Sequence, residues 1–156
     1  KTPIIEKTIY ESCKIKRSVV EKDEKEEGLR KILNFGHTFA HSFEASLGYS
    51  KKLNHGEAVI LGMVTALNFS LRNSFLKKNE YDLIINHINK TKLPSSLKKF
   101  FKYKYLNKIL SFMIKDKKNN SSKISLVLLE KIGKPVFNKE YDKKNIKIFL
   151  SSLLRN

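Results

Sequence analysis

One segment, 56–76, is apolar on nearly every side when it is read as a helix. Its apolar residues are Ala58, Val59, Ile60, Leu61, Met63, Val64, Ala66, Leu67, Phe69, Leu71, Phe75 and Leu76. A helix that is apolar all round is normally buried at the centre of a domain, so the rest of the chain has to surround it. Its longest apolar run is too short to cross a bilayer. The segment therefore predicts the central helix of a folded domain rather than a membrane helix.

The rest of the chain predicts further helices and one hairpin. Helical spacing of apolar residues predicts helices over Pro3–Lys22 (amphipathic), from Leu29 to Leu47 with a C-terminal cap at Gly48, and near Glu80–Lys90, Ser95–Lys102, Leu106–Lys115 and Asp142–Leu154. The apolar run Ile124–Leu129, followed by Gly133 and Pro135, predicts a β-hairpin. We expect a mainly α fold, a multi-helix, bundle-like domain with a small β-hairpin near residues 123–137. This single helical domain would span residues 1–156.

The formal net charge of +17 makes a nucleic-acid partner worth weighing. The positive residues are mostly Lys, and the only arginines are Arg17, Arg30, Arg72 and Arg155. Readers of bases and phosphates favour Arg for its bidentate fork. Scattered lysines therefore favour a solvated surface, and we predict no nucleic-acid or membrane partner. The alternative, a basic helical module that binds nucleic acid, predicts binding that weakens steeply with salt.

A single cysteine, Cys13, allows no intramolecular disulfide, which fits a reducing cytoplasm. No signal peptide opens the sequence, and Lys1 stands where Met is expected. We therefore expect a cytoplasmic protein, and we expect this chain to be the second half of a longer one.

Three of the four histidines fall within 28–59. His37 and His41 are four residues apart and therefore share one face of a helix, and His55 stands where the next helix begins. Imidazoles spaced in this way can converge on a metal ion, with Glu44 or Glu57 completing or orienting the set. Histidines on a mostly apolar helix are also common as hydrogen-bonded structural residues, and both readings stay open. His87, among polar neighbours, is read as a surface residue.

Arg30, Asn34, His37 and His41 follow one another at helical spacing. In a continuous helix they would form a polar ridge on an otherwise apolar surface. A guanidinium, an amide and imidazoles in a row suit an anionic, oxygen-rich ligand. The alternative is that the ridge faces water.

Three stretches carry a resemblance to a known family. They are KIKRSVVEKDEKEEGLRKILNFGHTFAHSFE, NHGEAVILGM and DKKNNSSKISLVLLEKIGKPV. Together they resemble the C-terminal domain of the dehydroquinate synthase family, and the resemblance covers essentially the whole chain. Family members pair an N-terminal NAD-binding domain with a helical C-terminal domain that carries metal and substrate groups.

The resemblance implies an activity in the shikimate pathway of aromatic amino acid biosynthesis. The family converts 3-deoxy-D-arabino-heptulosonate 7-phosphate to 3-dehydroquinate and phosphate, a lyase reaction with NAD used catalytically and a zinc or cobalt ion polarising an oxygen. It also implies a homodimer. The site residues that it implies are His37 and His55 as metal ligands; His41 and Glu26 as catalytic groups; Lys16, Arg30 and Asn34 as substrate-binding groups; and Lys117 or Lys118, with Lys118 preferred, as a further anion-binding lysine.

Some family features have no match in the sequence. The third metal ligand, a glutamate, and the NAD-binding domain lie upstream in the family, so we expect this chain alone to be inactive. Ala40 stands where the family commonly has Gly. Rival interpretations are a related cyclase acting on another seven-carbon sugar phosphate or on glucose 6-phosphate, a glycerol dehydrogenase-like metal enzyme, and a non-catalytic helical interaction domain.

Overall fold

The structure is a computed structural model that describes residues 2–115 and 123–155, with only the backbone described at Thr2. In chain order its elements are α1 Thr2–Lys22, α2 His37–Ser46, α3 His55–Arg72, α4 Lys78–Lys90, α5 Leu106–Lys115, β1 Lys123–Lys131, β2 Lys134–Asp142 and α6 Lys143–Leu154, with 3₁₀ helices at Leu29–Asn34, Leu97–Lys99 and Tyr103–Tyr105. The predicted mainly α fold with one hairpin is confirmed. The chain divides into two compact units, Lys1–Asn34 and Phe35–Asn156.

The first unit consists of α1, a loop and the 3₁₀ helix Leu29–Asn34. The predicted helix over 3–22 is confirmed and begins one residue earlier. Its large apolar side chains are exposed, among them Ile4 at 75%, Ile9 at 58% and Ile15 at 63%. Helix α1 is therefore amphipathic, with large apolar side chains that are exposed.

The second unit is built around α3, as the sequence predicts. Ala58 and Leu61 of this helix are fully buried, and Leu67 is 1% exposed. Side chains from α2, α5, β1 and α6 complete one core, which includes Phe39, Phe43, Ile109, Leu110, Met113, Leu126, Leu128, Phe149 and Leu150. Burial of this many large apolar side chains supplies the main stabilisation of the unit.

The prediction of one helix from Leu29 to Leu47 is wrong. The chain forms a 3₁₀ helix that ends at Asn34, turns at Gly36, and only then enters α2. Gly36 has a φ of +82°, which an L side chain rarely adopts. A Cβ on Gly36 would lie 2.5 Å from the Met63 nitrogen of α3, and a Cβ on Gly62 would lie 2.2 Å from the Gly36 oxygen. The break follows from this close backbone crossing, which helical periodicity does not report.

The ends of α2 and α3 are defined by local hydrogen bonds. After α2, Gly48 has a φ of +67° and donates to the Ala45 carbonyl at 3.1 Å, while the Tyr49 N–H donates to the Glu44 carbonyl at 2.9 Å. This is a Schellman motif, and it confirms the predicted cap at Gly48. At the start of α3, the Asn54 N–H donates to the Glu57 carboxylate at 2.9 Å. The short loop makes α2 and α3 neighbours and puts His55 in the first turn of α3.

The hairpin closes the core from another side. Strands β1 and β2 pair antiparallel, with Ile124 opposite Tyr141 and Leu128 opposite Val136. The predicted hairpin over 123–137 is confirmed, and its second strand continues to Asp142. The Leu129 N–H donates to the buried Ser70 hydroxyl of α3 at 3.1 Å, which ties the hairpin to the central helix.

The remaining predicted helices differ mainly in extent. Helices α4, α5 and α6 are found close to their predicted positions. The predicted helix over 95–102 is wrong, because only Leu97–Lys99 forms a 3₁₀ turn there. Within 2–115 and 123–155, no helix combines the length and apolar character needed to cross a membrane.

Candidate metal and substrate site

Three histidine rings lie together where α2 and α3 begin. His37 is the first residue of α2, His41 follows one turn later, and His55 is the first residue of α3. The ring centroids are 5.6 Å apart for His37 and His41, and 6.4 Å apart for each of the other two pairs. The fold therefore brings His55 back toward the pair on α2. His87, on α4, is exposed, as the sequence predicts.

Glu44 orients the imidazole of His55. Both carboxylate oxygens of Glu44 lie 3.1 Å from Nδ1 of His55. The Glu44 side chain is 13% exposed and that of His55 is 64% exposed. A carboxylate at Nδ1 fixes the proton on that nitrogen and leaves the lone pair of Nε2 for a ligand. Of the two carboxylates considered from the sequence, Glu44 contacts a histidine and Glu57 caps α3.

His37 has a weaker partner of the same kind. Its Nδ1 lies 3.4 Å from the Phe35 carbonyl oxygen, a long contact. A donor at Nδ1 again directs the lone pair of Nε2 away from the backbone. The ring of His37 is half-buried, whereas that of His41 is exposed.

Imidazole nitrogens are suitable ligands for a divalent metal ion, but the His37 and His55 rings lie slightly too far apart to bind one together. A ring bound to zinc through nitrogen has its centroid about 3 Å from the ion, so two such rings at a tetrahedral angle lie about 5 Å apart. The 6.4 Å between His37 and His55 is wider than this by about 1 Å. Accordingly, the described part of the chain holds no group of three His, Cys, Asp or Glu side chains close enough to hold an ion. The two histidines fit as a partial ligand set that needs a small inward movement and another ligand.

Polar residues that precede α2 in the chain hydrogen-bond to one another within the first unit. The Asn34 side-chain amide donates to the Glu26 carboxylate, and Nη1 of Arg30 donates to the Glu24 carbonyl at 2.6 Å. Lys16 is exposed on α1. The prediction of one helical ridge through Arg30, Asn34, His37 and His41 is wrong, because the helix is interrupted at Gly36. Lys117 and Lys118 lie outside the described residues.

One hydrogen-bonded residue of the first unit was not predicted from the sequence. The carboxylate of Asp23 accepts backbone N–H bonds from Glu27 at 3.0 Å and from Gly28 and Arg30 at 2.8 Å each. The bonds from Arg30 and Gly28 hold the pKa of Asp23 below its usual range. An Asp just after a helix and a few residues before Gly is a turn signal that identifies such residues in principle.

Two solved synthases have a fold similar to that of this chain. A 2-deoxy-scyllo-inosose synthase in complex with carbaglucose-6-phosphate, NAD⁺ and Co²⁺ aligns with a TM-score of 0.69 and 26% identity, over 89% of this chain and 38% of its own. A 2-epi-5-epi-valiolone synthase from Streptomyces hygroscopicus with bound NAD⁺ and Zn²⁺ aligns with a TM-score of 0.67 and 23% identity, over 87% of this chain and 36% of its own.

The family itself is given by the sequence match. Residues 1–119 match the family model described as 3-dehydroquinate synthase C-terminal, and the chain belongs to that family. A 3-dehydroquinate synthase of Pelagibacter ubique is 60% identical over 154 residues, which are 99% of this chain and 42% of the relative. A 3-dehydroquinate synthase of a Bradyrhizobium strain is 35% identical, over 96% of this chain and 40% of the relative. The chain thus spans about two fifths of the length of the curated relatives that it matches.

Proposed function

We propose that this chain is the metal- and substrate-binding part of a 3-dehydroquinate synthase. The enzyme would convert 3-deoxy-D-arabino-heptulosonate 7-phosphate to 3-dehydroquinate with release of phosphate, as a phosphorus–oxygen lyase of the shikimate pathway. The observation that carries the proposal is the cluster of His37, His41 and His55, with Glu44 on His55, in a chain of this family.

His37 and His55 are the proposed metal ligands. Their Nδ1 atoms face acceptors, so each offers Nε2 to an ion. The third ligand would be a glutamate from the upstream part of the protein. Zinc or cobalt would supply Lewis-acid polarisation of the oxygen on the carbon that is oxidised, and NAD would supply reversible oxidation. The relative solved with NAD⁺ and Co²⁺ supports this pair of cofactors.

The proposed substrate carries a carboxylate and a phosphate, which need cationic partners. Arg30 has a fork of five N–H donors, of which Nη1 binds the Glu24 carbonyl. Its other donors can bind a substrate anion, and holding one donor on the backbone restricts the rotation of the guanidinium. Lys16 and Lys118 would add positive charge, which stabilises phosphate as it departs.

Glu26 and Asn34 would act as a pair. The Asn34 amide donates to Glu26, so the carboxylate is directed and the Asn34 carbonyl oxygen is left to accept from a substrate hydroxyl. His41 lies beside His37 and would contact the substrate at its phosphate end. We propose that the substrate phosphate itself takes the proton during elimination, while Glu26 and His41 hold the geometry.

The chain would work together with an upstream NAD-binding domain, as a cytoplasmic homodimer. Its span of 42% of a relative that is 60% identical supports a larger enzyme. We also propose that residues 1–156 act as one helical domain of that enzyme, and that they are inactive alone.

The test is phosphate release by the full-length protein that contains this chain, supplied with NAD⁺, Zn²⁺ and 3-deoxy-D-arabino-heptulosonate 7-phosphate. Stoichiometric phosphate and 3-dehydroquinate are expected, and omission of NAD⁺ should abolish both. A folded protein that holds zinc and NAD⁺ but releases no phosphate would show that the substrate is wrong.

A second candidate is a related cyclase with another sugar phosphate as substrate. The relative solved with carbaglucose-6-phosphate, at 26% identity, is the observation in its favour. Glucose 6-phosphate and a second seven-carbon sugar phosphate in the same assay distinguish the two candidates. The 60% identity to a 3-dehydroquinate synthase favours the first.

A further inference from the structure

The loop that follows α1 is held by one carboxylate. Asp23 accepts three backbone N–H bonds at 2.8–3.0 Å, from Glu27, Gly28 and Arg30. Gly28 precedes the 3₁₀ helix Leu29–Asn34 and has no side chain to cap it. Asp23 thus supplies the missing cap from five residues upstream, and its negative charge is favourable beside the positive, N-terminal end of that helix.

The same loop contains a strained residue. Glu26 has a φ of +59°, a left-handed conformation that is unfavourable for a residue with a side chain. Such a conformation persists only where the surroundings over-determine it, and residues held in this way cluster at functional sites. Asp23 binds the N–H groups immediately after Glu26, and Asn34 binds its side chain. The loop is therefore fixed from both its backbone and its side chains.

We propose that Asp23 is a positioning residue for the substrate site, holding Arg30 and Glu26 in the conformation that receives the substrate anion. This inference rests on the proposed function. Asp23 touches the backbone of the loop, and its effect on the reaction passes through Arg30 and Glu26. Arg30 is held at two points: its backbone N–H donates to Asp23, and its guanidinium donates to the Glu24 carbonyl.

A site fixed before the substrate arrives loses less entropy on binding. Without the Asp23 carboxylate, the three N–H groups turn to water and Glu26 relaxes out of its left-handed conformation. Loss of the carboxylate should lower kcat/KM, chiefly by raising KM, because the substrate must then order the loop when it binds.

The experiment uses the full-length protein and the phosphate-release assay. Asp23→Asn keeps the size of the side chain and one acceptor oxygen, but it removes the negative charge and places an amide NH₂ against at least one N–H donor. Glu27→Gln is the matched control: it removes one negative charge from the same loop and keeps the backbone N–H that binds Asp23. We expect kcat/KM to fall about 10- to 100-fold in Asp23→Asn, a range typical for loss of a supporting partner, and to stay within about 2-fold in Glu27→Gln.

A double-mutant cycle with Arg30→Ala separates positioning from stability. If Asp23 acts through Arg30, Asp23→Asn costs much less in the Arg30→Ala background than in the unchanged protein. A purely structural role lowers Tm by a similar amount in both backgrounds and leaves kcat/KM unchanged at temperatures below the unfolding transition. Additive effects, or a kcat/KM for Asp23→Asn within about 2-fold of that of the unchanged protein, overturn this inference and leave the proposed function standing.

If Asp23→Asn does not fold, Asp23→Ser takes its place, because the hydroxyl keeps one acceptor. An intermediate loss of kcat/KM in this variant supports positioning, and no loss contradicts it. Absence of phosphate release from the unchanged protein would overturn the proposed function and this inference with it, so the two failures are distinct.

Discussion

Glu44 and His55 meet across the α2–α3 junction, with both carboxylate oxygens 3.1 Å from Nδ1 of the imidazole. Eleven positions separate them in the chain, and the Schellman motif at Gly48 turns the backbone so that they face each other. The contact fixes which nitrogen of His55 is available and in which direction it points.

The first prediction concerns this contact. Glu44→Gln, made in the full-length protein, should lower zinc affinity about 10- to 100-fold, because the His55 ring loses its orienting acceptor. Glu57→Gln is the control, since Glu57 lies in the first turn of α3, the helix that carries His55, and accepts the Asn54 N–H instead. Zinc affinity is measured by competition with a chelator. Equal losses in the two variants would indicate a general charge effect and contradict the orienting role.

The second prediction concerns the glycine crossing. Gly62→Ala should destabilise the protein by about 1–3 kcal/mol, the usual cost of overpacking, because the new Cβ would meet the Gly36 carbonyl at 2.2 Å. Gly56→Ala is the control, because nothing lies within 4 Å of a Cβ there. Chemical denaturation compares the free energies of unfolding. Similar stability for the two variants would show that α2 and α3 do not cross as closely as described.

The buried part of the fold could be predicted from the sequence, and the tertiary details could not. The all-round apolar pattern of α3 and the short apolar run of β1 reflect burial directly, so periodicity finds them. The break at Gly36 depends on the backbone of Met63, which is remote in sequence. The spacing of Arg30, Asn34 and His37 therefore predicts a continuous helix, although the helix is interrupted between Asn34 and His37.

Part of the candidate site could likewise be predicted from the sequence, and part could not. The spacing of His37, His41 and His55 predicted a cluster, and the structure brings the three rings together. Asp23 was missed, because its role is to accept N–H bonds from three residues of a loop whose conformation the sequence pattern does not specify. The roles assigned to Lys16, Glu26, Arg30, Asn34 and Lys118 stay predictions.

The third prediction is the titration of Asp23. Its pKa in the folded protein is lowered, first by the Arg30 N–H and then by the Gly28 N–H. An Asp in the unfolded chain has a pKa of about 3.9. The stabilisation from the carboxylate is therefore fully present above that value and is lost as the pH falls through the folded-state pKa.

An NMR titration of the Asp23 carboxyl carbon checks this directly. Its midpoint should lie below about 3.9, the unperturbed value, while the Gly28 and Arg30 amide signals shift with the same midpoint. A midpoint at or above the unperturbed value would mean that the three N–H bonds do not form in solution.

The most direct test of the account is the zinc affinity of the full-length protein after substitution of single histidines. His37→Ala and His55→Ala should each lower zinc affinity by more than the roughly 10- to 100-fold expected of an orienting partner, and each should abolish phosphate release. His87→Ala, on the exposed surface of α4, should match the unchanged protein in both measurements. Retention of zinc at unchanged affinity in His37→Ala or His55→Ala would contradict the assignment of α2 and α3 as the two sides of a metal centre.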